Sequence, residues 1–158
     1  MDLSGQIRTT CPPDQLVSTL RDPVALAQLL PLGSKVQQTA AGIYGFSVVK
    51  NVGPIKLTLH GQLDLTPGAT GHDQVLKAHA AHLIGGKVDL TLAIGITSDG
   101  RTTLLAYTGT LVATGLAGRI LHEHRNRANS SLKAALLRLK LYAEQQAERQ
   151  PRAMGSAG

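Results

Sequence analysis

Aromatic residues are scarce in this 158-residue chain: Tyr44, Phe46, Tyr107 and Tyr142 are the only four, and tryptophan is absent. Single-strand nucleic-acid binders stack bases on interleaved aromatic side chains, so the scarcity argues against that class despite a net charge of +6. One cysteine, Cys11, allows neither an internal disulfide nor a cysteine zinc cluster. No apolar run is long enough to span a bilayer. The start, Met1-Asp2-Leu3-Ser4-Gly5, has neither basic residues nor an apolar stretch, so no secretory signal is expected and a cytoplasmic location is. Paired carboxylates, a Gly-x-Ser-x-Gly elbow and a phosphate loop are all missing.

What is present suits one folded domain. Hydrophobic residues make up 42% of the chain and charged residues 16%, a balance that can bury a core. Residues 1–150 are expected to form a single domain, and residues 151–158 a flexible tail.

The chain begins with period-two alternation. Leu3, Gly5, Ile7 and Thr9 share one side of a strand. Pro12, Pro13 and Asp14 then open a short helix, and Pro23 opens a second. From Lys35 to Val112 the period is mostly two. Its clearest stretch runs from Ile55 to Leu65, where Ile55, Leu57, Leu59, Gly61, Leu63 and Leu65 alternate with Lys56, Thr58, His60, Gln62 and Asp64. Such a strand has one buried and one wet face. Gly53-Pro54 and Ser98-Asp99-Gly100-Arg101 read as turns. After Thr114 the period becomes helical, through Leu116, Ile120, Leu132, Leu136, Leu139 and Ala143. One long C-terminal helix is predicted over about residues 114–148, with a kink in the polar stretch from His122 to Arg127. Contiguous strands imply an antiparallel sheet. The fold class is α+β: six or seven antiparallel strands wrapped around a long C-terminal helix, with two short helices after the first strand.

Several stretches resemble the carbon monoxide dehydrogenase CoxG family of the START-like (SRPBCC, polyketide-cyclase-like) superfamily. Asp22-Pro23 through Leu30-Pro31 is similar to its DP…L…(I/L)P segment. Val52-Gly53-Pro54-Ile55-Lys56, after a strand led by Tyr44, resembles its V-G-P-(V/I)-K. Gly86 to Leu92 and Leu105-Ala106-Tyr107-Thr108 resemble two later strands, and Thr114 to Gly118 the small-residue entry to the last helix. The resemblance covers roughly residues 2–145 and implies a helix-grip fold with an apolar ligand, a lipid or a quinone, between sheet and helix. It also implies an accessory role linking a molybdenum hydroxylase to the inner face of the membrane.

The inward stripes give the candidate ligand-binding residues: Tyr44, Phe46, Val48, Leu57, Leu59, Leu90, Leu92 and Tyr107, facing Leu116, Ile120 and Leu132. Small inward residues, Gly61, Ala78, Ala80 and Gly109, suggest room for a ligand, and the hydroxyls of Tyr44 and Tyr107 could orient it. Lys50 shares their stripe and is expected at the cavity mouth. With no other acid–base group inward, a carrier is favoured over a cyclase- or dehydratase-like enzyme; a basic nucleic-acid binder is the third reading. No cofactor is implied. His122 and His124 stand about 200° apart on a helix and cannot chelate together, so no metal is expected either. Residues 113–149 carry seven Lys or Arg against three Glu. Arg119, Arg125, Arg127, Lys133, Arg138 and Lys140 are expected to form an outward basic strip for weak contact with an anionic membrane or an acidic partner.

Overall fold

In the computed structural model, the described backbone covers residues 1–149 apart from 31–32, 70, 83–85 and 124; the side chains at 50–52, 55, 57, 82, 120 and 149 lie outside the description. The elements run β1 (Asp2–Thr9), α1 (Pro13–Leu20), α2 (Pro23–Leu26), β2 (Lys35–Ala40), β3 (Ile43–Val52), β4 (Ile55–Pro67), β5 (Gln74–His82), β6 (Gly86–Asp99), β7 (Thr102–Thr114), α3 (Gly115–Glu123) and α4 (Arg125–Arg149). A 3-10 turn, Ala27–Leu29, extends α2. The expected tail, 151–158, lies outside the described residues.

Seven strands form one antiparallel sheet in the order β1-β7-β6-β5-β4-β3-β2. Strands β2 to β7 follow one another as a meander, each turn bringing the next strand alongside the last. Gly53, at φ +61°, and Gly100, at φ +65°, supply the left-handed backbone that two of the tight turns require. The α1–α2 segment carries the chain from one sheet edge to the other, which places β1 beside the last strand. Asp22 starts α2: its carboxylate accepts from the Val24 amide at 3.0 Å, and Pro23 takes the position where an amide has no helical partner.

Register places every inward stripe on a common face. Leu3 lies opposite Gly109, which lies opposite Leu92; Leu92 faces Leu76, and Leu76 faces Leu65. Helix α4 packs against β1, α1 and α2, while α3 packs against β6 and β7. Ala135, Leu136, Leu139 and Ala143, from the middle of α4 onward, are buried. With Leu16, Leu20, Ala25 and Leu26 from the short helices they cover the sheet.

One expectation needs correction: Gly61 and Gly109 do not leave open space. A Cβ on Gly61 would collide with the Phe46 ring and the His79 carbonyl, and one on Gly109 with the Thr91 carbonyl. Gly61 seats an aromatic ring, and Gly109 lets neighbouring backbones close up as the sheet bends.

Candidate functional site

The inner face has two unlike ends. Toward the C-terminal ends of β4 and β6, it is closed: Leu65, Leu76, Leu92, Ile94, Ile96, Leu105 and Tyr107 are each at most 3% exposed. Toward the C-terminal ends of β3 and β7, Phe46, Leu59, Val88, Leu90 and Leu111 are only half-buried. The helical cover explains the difference. The two short helices and the buried half of α4 sit over the closed end, whereas Leu116 of α3 and Leu132 of α4 are themselves half-buried.

A polar network holds the closed end together. Arg21, just after α1, donates to the Gln74 side chain at 2.8 Å, and Gln74 donates to the Asp73 carbonyl at 2.8 Å. Tyr44 donates its hydroxyl to the Arg21 carbonyl at 2.6 Å, and Tyr142 of α4 donates to Asp22 at 3.2 Å. Glu144 of α4 accepts from the Thr9 hydroxyl at 2.8 Å and the Thr10 amide at 3.3 Å. These bonds tie the α1–α2 segment to β3 and β5, and α4 to edge strand β1 and to Asp22. Cys11 is buried beneath them; burial, then the nearby Glu144 carboxylate, pushes its thiol up to about 11. It stays protonated at neutral pH and is no nucleophile.

The candidate residues divide along the same line. Tyr44, Leu92 and Tyr107 are in the closed core, and Val48 is buried near the other end of the sheet. Phe46, Leu59, Leu90, Leu116 and Leu132 line the half-open end. Leu57, Ile120 and Lys50 have side chains outside the described ones. Tyr44 does not serve as a free orienting group, because its hydroxyl already bonds the Arg21 carbonyl. Tyr107 differs: its hydroxyl is buried, lies over Gly5, and has no partner among the described residues. Burial pushes that phenol above its ordinary value, so it remains a donor.

A cleft of about 780 Å³ opens between α2 and edge strand β2. Pro23, Val24 and Ala27 form one wall and Val36 and Phe46 the other, with His60 at the rim. It meets the inner face at Phe46, some way from Tyr107. The α2 wall was missing from the sequence-based site, since a four-residue helix carries too little periodicity to show which face it presents. A second hollow, about 320 Å³, lies among Gln62, Asp64, Lys77, His79, Asp89 and Thr91 on the wet face. There His79 bonds Asp89 at 2.6 Å. Among the described residues no cluster of three metal-ligating side chains occurs.

Four of the basic residues of α4 form two flanks. Arg119, Arg125, Arg127, Lys133 and Arg138 are exposed, and Lys140 is half-buried. At about 100° per residue, Arg127 and Arg138 share one side of α4 and Lys133 and Lys140 another. Between the two pairs lie Leu137 and Leu141, 40% and 57% exposed. Arg138 donates to the Gln28 carbonyl at 3.0 Å and Arg125 to the His122 carbonyl at 3.2 Å. The spacing follows the needs of the buried stripe, which leaves the cations only the margins of the outer face.

A family model for CoxG, a carbon monoxide dehydrogenase subunit, matches residues 5–132. No curated protein matches the sequence. Among solved structures, a conserved protein from Geobacillus kaustophilus is 16% identical with a TM-score of 0.76, the match covering 92% of this chain and 96% of that one. An aromatase/cyclase from a Streptomyces species is 18% identical, with a TM-score of 0.61 and 98% of each chain covered. A STAR-related lipid transfer protein from Xanthomonas axonopodis is 12% identical, with a TM-score of 0.59, covering 89% of this chain and 84% of that one. At these identities the likeness is one of fold: all share the helix-grip architecture.

Proposed function

From the premise that the chain belongs to the carbon monoxide dehydrogenase CoxG family, we propose that it is a non-enzymatic carrier holding an apolar ligand, a lipid or quinone, at the half-open end of the sheet. The observation that carries this reading is the contrast in burial. Phe46, Leu59, Val88, Leu90 and Leu111 are inward apolar residues that the helices leave half-covered, with Val48 and Ala80 buried among them, where a packed core would be closed throughout. The described side chains that point inward there are apolar and offer no general acid or base, which favours a carrier over a cyclase or dehydratase. The family's name points to carbon monoxide dehydrogenase, a molybdenum hydroxylase, as the partner enzyme.

Replacing Leu59 with Trp fills the half-open end. The variant should fold as wild type and lose uptake of a long-chain lipid or quinone, followed by native mass spectrometry after incubation and extraction. Uptake equal to wild type overturns the placement.

Peripheral membrane contact belongs to the same reading. Among the described residues no helix is long and apolar enough to cross a membrane. The exposed Leu137–Leu141 ridge with cations on both flanks is the pattern of a helix that rests on an anionic surface. Each cation contributes about 1 kcal/mol there, within a screening length of about 8 Å at physiological salt. Wild type should therefore sediment with anionic vesicles at low salt, and an Arg127→Glu, Arg138→Glu variant should not. Wild type remaining in the supernatant at low salt removes the membrane from this account.

A further inference from the structure

The two edges of the sheet are finished differently. At β1 helix α4 covers the edge: the Ser4 amide donates to the Asn129 side chain at 3.3 Å, and just past the strand the Thr10 amide donates to Glu144 at 3.3 Å. The other edge, β2, is bare. All of its residues except Val36 are exposed. Among the described residues, no hydrogen bond beyond the β3 ladder reaches the backbone of Val36 to Thr39. An unpaired edge is a template for another strand, and natural edges are guarded by proline, charge or a bulge. Strand β2 has no proline, one charge, Lys35, and an irregular register only at its end, between Gln38 and Ala40.

The cleft of about 780 Å³ lies along this edge. Lys35 and Gln37 line it from one face of β2 and Val36 from the other. A hollow lined by both faces of an edge strand lies in the plane of the sheet, where a further strand would run about 4.8 Å away. Its two sides are chemically unlike. On the inner side stand Val36, Phe46 and, from α2, Pro23 and Val24, the last 58% exposed. On the outer side stands Lys35, with Ser47 and His60 beside it in register. No described residue lining the cleft carries a carboxylate.

We propose that the β2 edge and this cleft form a docking slot for an extended segment of another protein, which adds a strand to the sheet and alternates apolar with acidic side chains. Strand parity sets the alternation: one set of side chains falls on the α2 wall and the other beside Lys35. A second copy of this chain is a poorer occupant. Its β2 offers Val36 as its one large apolar side chain and brings a lysine where an acid is wanted. The proposal is independent of the carrier reading.

The probe is a fluorescent peptide of six residues, the length of β2, alternating valine with glutamate. Its control has the same composition with the valines and glutamates in separate blocks, so that net charge is equal. Anisotropy with full-length protein reads binding, and amide exchange reads protection of β2. Wild type should bind the alternating peptide about tenfold more tightly than the control, the loss of one buried valine contact. The outward amides of β2 should exchange more slowly in the complex. Val24→Glu, at an exposed position, should weaken the alternating peptide about tenfold by placing a charge in the apolar wall. Lys35→Glu should weaken it about threefold, as befits a solvated ion pair. Equal binding of the two peptides, binding that leaves the β2 amides unprotected, or no binding of either overturns the slot. If the protein sediments as a dimer whose β2 amides are already protected without peptide, the occupant is a second copy and the proposal falls.

Discussion

The closed and half-open ends of the inner face use the same kinds of residue. Leucines, isoleucines and valines alternate inward along β6 from one end to the other, yet Leu92 is 2% exposed while Leu90, its next inward neighbour, is half-buried. What differs lies above the sheet. At the closed end α1, α2 and α4 from its middle onward supply Leu16, Leu20, Leu26, Leu136 and Leu139, and a polar network fixes them there. At the other end the cover consists of α3 and the start of α4, where Leu116 and Leu132 are themselves only partly covered. A sheet face is therefore core or binding surface according to what its helices do with it, and composition alone does not separate the two.

The largest test of this difference is leucine truncation. Leu139, 1% exposed, should cost about 2–5 kcal/mol as Leu139→Ala, because both transfer energy and a cavity are involved. Leu90→Ala should cost about 1 kcal/mol, since water already reaches the side chain. Urea unfolding of both variants checks the pair. Equal losses would mean that the half-open end is packed as tightly as the core.

A pair of tyrosines gives a smaller effect of opposite sign. Tyr44→Phe removes the donor to the Arg21 carbonyl and should destabilise by about 1–3 kcal/mol. Tyr107→Phe removes a buried hydroxyl without a partner and should stabilise the ligand-free protein by about 1 kcal/mol. The same substitution in two residues of one face thus separates a hydroxyl that holds the fold from one that the fold tolerates. Destabilisation by Tyr107→Phe in ligand-free protein would show that its hydroxyl already has a partner.

These contrasts also mark how far the sequence could be read. Period-two alternation places Tyr44, Phe46, Leu59, Leu90 and Tyr107 on one face correctly, because strand parity is local. The turns at Gly53-Pro54 and Asp99-Gly100 are local too. Depth along a strand is not. Nothing near Leu90 or Leu92 tells which of them a helix more than 40 residues away in sequence will cover. The roles of the glycines were hidden for the same reason: Gly61 receives Phe46 and Gly5 receives Tyr107, both through cross-strand pairs that only the register reveals. How the basic residues divide around Leu137 and Leu141 could have been read from helical spacing, once the buried stripe of α4 was known.

The smallest expected effect is a pH dependence confined to the closed end. Cys11 is 1% exposed, and its thiol is pushed from 9.0 to about 11, by burial first and by the Glu144 carboxylate second. In the unfolded chain the thiol ionises near its ordinary value. As pH rises from about 9 toward 11 the unfolded state releases this proton while the folded state retains it. The unfolded state then binds fewer protons, so stability falls with rising pH across that window and is fully present below it. Tyr44 and Tyr107, both raised above 10.0 by burial, add to the decline at its upper edge. Cys11→Ala should start lower, having lost a buried side chain, but decline more gently with pH. Leu90→Ala, at an end with no titratable group among its described inward side chains, should decline as wild type does. Urea midpoints at neutral pH and near pH 11 distinguish these outcomes. If Cys11→Ala declines as steeply as wild type, the thiol is in contact with water, and the closed end is less sealed at β1 than the burial of Cys11 indicates.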